Sequence, residues 1–363
     1  MKKLLFVLLS LTSISLIFMS GLSAAAPAAK PIDLSWACFF PPVHVFSKME
    51  VGIQQEIEKR TNGRVKFTFH PGSSLLNATK MLNGVETGIA DIGSTHTGYT
   101  RGRFPVTAIV EQPLGYPSGW VATKVGNEFW DKYKPGEWNS VHVLLWHLDG
   151  AGVIGVKTTK KKVTKLEDLK GMTLRCSGVS ADVVKALGGT PRDIPMPETY
   201  DALSKGVVDG VVGSLETLKG WKYAEVCKFV SLTMGISPSY VFYMVMNKDK
   251  WNSLPADIQK VFNDVFMEYR DKFGVAWDQI GIEGLQHFLS LGGTYTVIPP
   301  NEMARWIPKV TPVTDSYIQS LVDKGNPEAK MKEMLAFSKE RIVYWTQQQK
   351  KLGLPTLDAL TTK

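Results

Sequence analysis

Arg175 closes the apolar run Met172-Thr-Leu-Arg-Cys176 and is followed at once by Ser177-Gly178-Val179-Ser180, a stretch suited to open a helix. A guanidinium does not lose its proton and presents a planar fork of N–H groups matched to a carboxylate. A helix that begins beside it adds backbone N–H groups and a partial positive charge. The pairing reads as a carboxylate clamp, with Arg175 as anchor and Ser177 as auxiliary donor. An arginine that ends a strand is more often a surface charge, so position alone does not decide between the two. His96, Tyr99, Arg101 and Arg103 follow a short apolar segment ending at Gly93, and His44 follows Pro41-Pro42. His96 and Tyr99 are candidates to meet a ligand hydroxyl or keto oxygen, and His44 to donate from the first loop. Arg101 and Arg103 are candidates for the same anchor, although a solvated loop is the commoner setting for such charges.

Signatures of catalysis are missing from the chain. It contains no Gly-x-Ser-x-Gly elbow, no His-Glu-x-x-His, no phosphate-binding glycine loop before Lys-Ser/Thr and no Cys-x-x-Cys. His142 and His147 lie five apart in a predicted strand, which puts them on opposite faces and argues against a shared metal. The expectation is a binding protein without metal or cofactor.

The elements that must position Arg175 form two similar series. In the first, Asp33–Phe40 reads as a buried strand, Val45 to Ile57 as a helix stopped by Asn62-Gly63, and Val65–Phe69 as a strand ended by Pro71-Gly72. Helical periodicity then runs from Leu75 to Val85, and Gly88–Gly93 leads into another strand. In the second, a strand at Met172–Cys176 precedes a helix closed by Gly188-Gly189, a second helix over Glu198–Lys205 and a strand over Val207–Val212. Strands alternating with helices give parallel α/β cores. Leu254 to Leu289 carries apolar residues at helical spacing with Pro255 at a favoured first-turn position, and predicts a helix roughly 50 Å long, enough to brace two lobes. A break at Gly281 is the alternative. Trp306 to Trp345 predicts further packing helices.

Residues 1–26 read as a cleavable export signal, with Lys2-Lys3 before an apolar run that ends in Ser23-Ala-Ala-Ala26. Its removal takes two lysines from a formal charge of +8, which leaves about +6 on a long chain; such mild basicity suits anionic solutes better than nucleic acid. No later segment is long and apolar enough to span a membrane. With 363 residues and 44% hydrophobic composition the chain can fill two cores. Cys38, Cys176 and Cys227 are odd in number and widely spaced, so they are no disulfide framework, although one bridge stays open.

Residues from about 33 to 345 resemble the extracytoplasmic solute-binding subunits of TRAP transporters, the DctP-type family. The resemblance is carried by Gly63-Arg-Val-Lys-Phe-Thr-Phe-His-Pro-Gly72, Met81-Leu-Asn-Gly-Val-Glu-Thr-Gly-Ile-Ala-Asp91 and above all Leu166-Glu-Asp-Leu-Lys-Gly-Met-Thr-Leu-Arg175. Ala186-Leu-Gly-Gly189, Pro195–Leu203 and Gly206-Val-Val-Asp-Gly210 follow in order. The resemblance implies an α/β clamshell: two lobes on a hinge, a long helix spanning both, and Arg175 paired with the ligand carboxylate. It also implies a periplasmic location and a membrane permease, of small and large subunits or their fusion, as partner. The lobes are expected at 27–151 plus 239–280 and at 152–238 plus 281–363.

Two departures bear on the ligand. Val211-Val-Gly-Ser214 places Gly213 where many members carry an asparagine, and His147–Ile154 contains no second arginine. Phe39, Phe40, Trp146 and Met196 fall at the family's pocket positions, with Tyr240 near a crossover and Ser214 beside Gly213. Such walls suit a monocarboxylate with an apolar or aromatic body. A C4-dicarboxylate, a sensor role beside a membrane receptor and a periplasmic enzyme are the competing readings.

Overall fold

The computed structural model describes residues 30–149, 154–233 and 235–356; the expected export signal lies outside them. Ile32–Cys38 forms β1, Val45–Arg60 α1 and Val65–His70 β2. His44 caps α1, its ring accepting from the Phe46 N–H at 3.2 Å, and α1 stops where Asn62 takes a left-handed φ of 51°. Helix α2 is shorter than its periodicity predicts, Met81–Glu86 rather than Leu75–Val85. The reason is local. Ser73 is left-handed, and the Asn77 side chain accepts from the Lys80 N–H at 2.9 Å, which makes a turn of the preceding residues. Ile92–His96 is β3, Gly119–Tyr133 α3 and Val141–Leu148 β4.

The second series runs through β5 (Ile154–Thr158), β6 (Thr173–Cys176), α4 (Val179–Ala186), β7 (Thr190–Asp193), α5 (Met196–Ser204), β8 (Gly210–Gly213), α6 (Thr217–Gly220) and β9 (Phe229–Thr233). The chain then returns to the first sheet as β10 (Val241–Asn247), followed by α7 (Lys248–Ser253). Strand order is β2-β1-β3-β10-β4 in one sheet. With β11 (Thr294–Val297) it is β11-β9-β5-β8-β6-β7 in the other. β1 is parallel to β2 and β3, and β6 is parallel to β7 and β8, as the alternation predicts. The strands that cross between lobes enter antiparallel: β10 against β3 and β4, β5 against β8 and β9.

The predicted brace is one unbroken helix, α8, Ala256–Ser290, which at 35 residues is about 52 Å long. It packs on α1, α3 and β4 of one lobe and on α6 of the other. Two glycines make the approaches close. A Cβ at Gly274 would sit 3.1 Å from the Trp120 Cα, and one at Gly284 would overlap the Leu215 carbonyl oxygen.

The expected lobe assignment needs one correction. Helix α10, Glu328–Leu352, does not join the second lobe but packs on α3 of the first. Arg341 Nε reaches Glu128 at 2.5 Å, Trp345 meets Trp120 edge-on at 5.5 Å, and Ser118 Oγ donates to Gln349 at 2.8 Å. Helix α9, Pro300–Asp323, connects the lobes: Trp306 is buried in the second core, while the Tyr317 hydroxyl donates to the Pro105 carbonyl at 2.7 Å. All three cysteines are buried thiols, with no disulfide among the described residues.

Several carboxyls are buried in this framework. Glu50 accepts from Ser94 Oγ at 3.0 Å, Glu111 from Thr97 and the Val241 N–H, and Asp278 of α8 from Gly119 and Trp120 at the start of α3. Burial pushes Glu50 up to about 8 and Glu111 and Asp278 up to about 7. A carboxyl whose native pKa exceeds its unfolded value takes up a proton on folding. Its stabilisation is complete below an unfolded pKa of about 4 and is lost as pH rises through the native value. Buried His96 and His147 and half-buried His142, held below their ordinary range, work the other way up to about pH 6.5, so the melting temperature should fall between pH 6.5 and pH 8.5, by roughly 5 °C or more. Glu167 and Glu333, held near 2 by Arg305 and Lys330, titrate below that window. Calorimetric scans that are flat or rising over it would contradict these assignments.

Candidate functional site

The carboxyl ends of β1, β3, β6 and β8 meet the start of β10 around one cavity between the two sheets. Phe39, Phe40, His96, Arg175, Ser177, Met196, Gly213, Ser214 and Tyr240, all singled out in the sequence, line it, as does Tyr99.

Arg175 is 3% exposed and makes no ion pair among the described residues. Its Nε donates to the Ile194 carbonyl at 2.7 Å, which fixes the plane of the fork, and its buried Nη2 has no protein partner. Ser177 Oγ is likewise buried and without a partner. A buried guanidinium N–H and a buried hydroxyl left unmatched each carry a desolvation penalty of about 1–3 kcal/mol. An anion in the cavity would relieve both.

His96 fixes its own tautomer. Its Nδ1 accepts from the Gly98 N–H at 3.1 Å, and burial, with the Arg175 charge second, pushes its pKa well below the ordinary value. The neutral ring therefore carries its proton on Nε2. Tyr99 accepts from the Met196 N–H at 2.9 Å. The Tyr240 hydroxyl is engaged, donating to the Ser177 carbonyl at 2.6 Å and meeting Ser180 Oγ, so Tyr240 contributes its ring as wall. Phe39 stacks between Trp221 at 5.8 Å and Phe242 at 6.1 Å, and Phe40 stacks on Phe242 at 5.8 Å.

Two acidic residues that the sequence did not mark also face the cavity. Asp149, just past β4, accepts from the Tyr240 N–H at 2.7 Å, and burial pushes it up to about 7. Glu216, just past β8, has Oε2 3.0 Å from His44 Nε2 and Oε1 3.4 Å from Ser214 Oγ. Trp221 and Phe242 were missed as well. The alternation of β10 offers a signal for Phe242, two residues beyond Tyr240 and so on the same face. No local pattern marks Glu216 or Trp221.

Trp146 is a correction. Its ring packs among Trp130 at 5.0 Å and Trp138 at 5.3 Å, beside α3 and away from the cavity. Successive residues of a strand face opposite ways, so the neighbouring His147 takes the other side, against Phe46 and Trp277. Arg101 and Arg103 also lie outside the cavity, paired with Asp182 and Glu86.

Several of these contacts bridge the lobes. Arg101–Asp182, Tyr99–Met196, Tyr240–Ser177 and His44–Glu216 each join the first sheet's lobe to the second. Gly178, at φ 50°, comes so close to Gly98 that a Cβ would stand 3.2 Å from the Gly98 Cα. Only glycine suits both that φ and that approach.

The sequence profile of bacterial extracellular solute-binding protein, family 7 (DctP), matches residues 44–320. A solute-binding protein from Albidiferax ferrireducens is 29% identical over 234 residues, 61% of this chain and 65% of that protein, so this chain spans about two thirds of that relative's length. A TRAP periplasmic solute-binding protein from Desulfovibrio salexigens, in an open form, is 32% identical with a TM-score of 0.74 over 86% of this chain and 96% of that one. A TRAP solute-binding protein from an unidentified marine microbe, specific for aromatic acids and solved with 3-hydroxybenzoate, is 25% identical with a TM-score of 0.81 over 87% and 99%. Other members are named for C4-dicarboxylates or were solved with sugar acids.

Proposed function

The chain belongs to the DctP family, family 7 of the bacterial extracellular solute-binding proteins, and from that premise we propose that it captures a monocarboxylate with an aromatic or other apolar body for delivery to a TRAP permease. Members of this family are transport proteins of the periplasm, and no helix among the described residues is long and apolar enough to cross a membrane. In this reading the signal at residues 1–26 is cleaved. The ligand then enters between lobe I, 27–151 plus 239–280 with α10 added, and lobe II.

The observation that carries the ligand class is the charge inventory of the cavity. One guanidinium with an unmatched N–H meets aromatic walls, and the acids on the lining are two carboxyls, Asp149 and Glu216, with no second guanidinium or ammonium beside them among the described residues. Arg175 takes the ligand carboxylate, with Ser177 and the His96 Nε2–H as donors to its surroundings. Phe39, Phe40, Trp221, Phe242 and Met196 enclose the body, which contributes about 25 cal/mol per Å² of apolar surface buried. A second carboxylate would meet no second cation, and like charges in a water-poor site disfavour it. That is the argument against the C4-dicarboxylate reading. The aromatic-acid specificity of the marine relative supports the same choice.

A thermal-shift screen tests it. Benzoate, phenylacetate and mandelate should raise the melting temperature more than succinate, malate or fumarate at equal concentration. A ligand at a hundred times its Kd adds about 2.7 kcal/mol. Largest shifts from the C4-dicarboxylates would overturn the ligand class and leave the family assignment intact.

A further inference from the structure

We propose that Glu216, held by His44, is a specificity residue that accepts a hydrogen bond from a hydroxyl on the ligand's aromatic body, so that the cavity selects a hydroxyaryl carboxylate over a bare aryl acid. The inference rests on the aryl-monocarboxylate reading above and deepens it.

The geometry begins at His44. Its Nδ1 already accepts from the Phe46 N–H, so the proton of the neutral ring sits on Nε2 and is donated to Glu216 Oε2 at 3.0 Å. One carboxyl oxygen is thereby fixed. The other, Oε1, has only Ser214 Oγ at 3.4 Å, beyond the usual 2.5–3.0 Å of an O–H···O bond. Glu216 is 3% exposed, and it stands on the wall between the cavity that Arg175 lines and an outer one lined by His44, Lys219 and Glu283.

The polar groups thus fall into two sets. Arg175 Nη2, from the end of β6, and Ser177 Oγ, on the segment that joins β6 to α4, include donors without acceptors. Glu216, on the segment joining β8 to α6, offers an acceptor without a close donor. A ligand that matches both carries an anion and, separately, a hydrogen-bond donor. Phe39, Trp221 and Phe242 between them call for a flat apolar linker. Hydrogen bonds to a carboxylate are stronger than neutral ones, and a site built around a ligand hydroxyl discriminates strongly against the analogue that lacks it.

Titration calorimetry on the full mature protein separates the outcomes. The ligands are benzoate, its three hydroxy isomers, the corresponding methoxy isomers and 3-(aminomethyl)benzoate. The best hydroxybenzoate should bind at least about tenfold tighter than benzoate. Its methoxy counterpart, which fills the same space without a donor, should lose that gain. In Glu216→Leu the ratio of hydroxybenzoate to benzoate affinity should shrink to within about threefold, whatever the variant does to both. A hydroxyl gain that persists in the variant, a methoxy group that serves as well, or an ammonium ligand that binds tighter than every hydroxybenzoate would each overturn the proposal. The methoxy comparison uses the unsubstituted protein, so it decides even if Glu216→Leu does not fold. Binding of benzoate without any hydroxyl gain overturns this inference alone, whereas no binding by any aryl acid removes the reading beneath it as well.

Discussion

Arg175→Ala should raise the Kd for the best aryl monocarboxylate by more than about a hundredfold, the loss of roughly 3 kcal/mol expected when a buried carboxylate loses its charged partner. The unliganded variant should nonetheless melt at or above the temperature of the parent. Arg175 holds a charge among Tyr99, Tyr223 and Tyr240 with no ion pair among the described residues, and its removal relieves a desolvation penalty. What it gives up in the unliganded protein is the hydrogen bond from Nε to the Ile194 carbonyl and its polar contact with Tyr99. Arg175→Lys keeps the charge without the fork and should fall between the two. Calorimetric titration and a melting scan on the same samples test both halves. Unchanged affinity in Arg175→Ala would remove Arg175 as the anchor. Lost binding with a collapsed melting temperature would instead make it a structural residue.

Gly284→Val should destabilise the protein by about 3 kcal/mol or more, a fall of roughly 6–12 °C in melting temperature. The new Cβ would overlap the Leu215 carbonyl oxygen and press on the Glu216 Cα, both backbone atoms that no rotamer change can move aside. Either α8 lifts away from the second lobe or the segment 214–216 shifts. Ser214 and Glu216 sit on that segment and on the cavity wall, so ligand affinity should fall together with stability. Gly213→Ala is the companion change, since a Cβ there meets nothing within 4 Å, and it should cost little stability. Equal melting temperatures for Gly284→Val and the parent would mean that α8 does not rest on Leu215 as described.

Most of this architecture is legible in the residues because it is written locally. The helix α8 follows from apolar residues three and four apart, and Arg175 is placed by the strand that ends at it and the glycine turn that follows. The shortfall at α2 came from a polar side chain competing for the backbone, where Asn77 takes the Lys80 N–H and apolar spacing alone does not show it. Trp146 was misplaced by treating a family position as a face, whereas the period of two along β4 already set Trp146 and His147 on opposite sides. The partner of α10 is a matter of long-range packing. Nothing in Met334, Phe337 or Trp345 states which lobe will receive them. Asp149 and Glu216 were missed for the same reason, each standing on a loop whose neighbours in space come from distant parts of the chain.

The contacts across the cleft do something for the family's task that the cavity itself does not. The ion pair Arg101–Asp182 and the glycine pair Gly98–Gly178 stand off the cavity wall and favour closure whichever acid lies inside. When only the closed form holds ligand, the apparent Kd is the intrinsic one divided by the closed fraction. Any change confined to bonds such as Arg101–Asp182 then multiplies the affinities for every ligand by one factor and leaves their ratios untouched. Discrimination and hunger are therefore set by separate residues. A lineage living on scarcer acid can tighten the clasp without altering what is clasped, at the expense of a slower hand-over to the membrane.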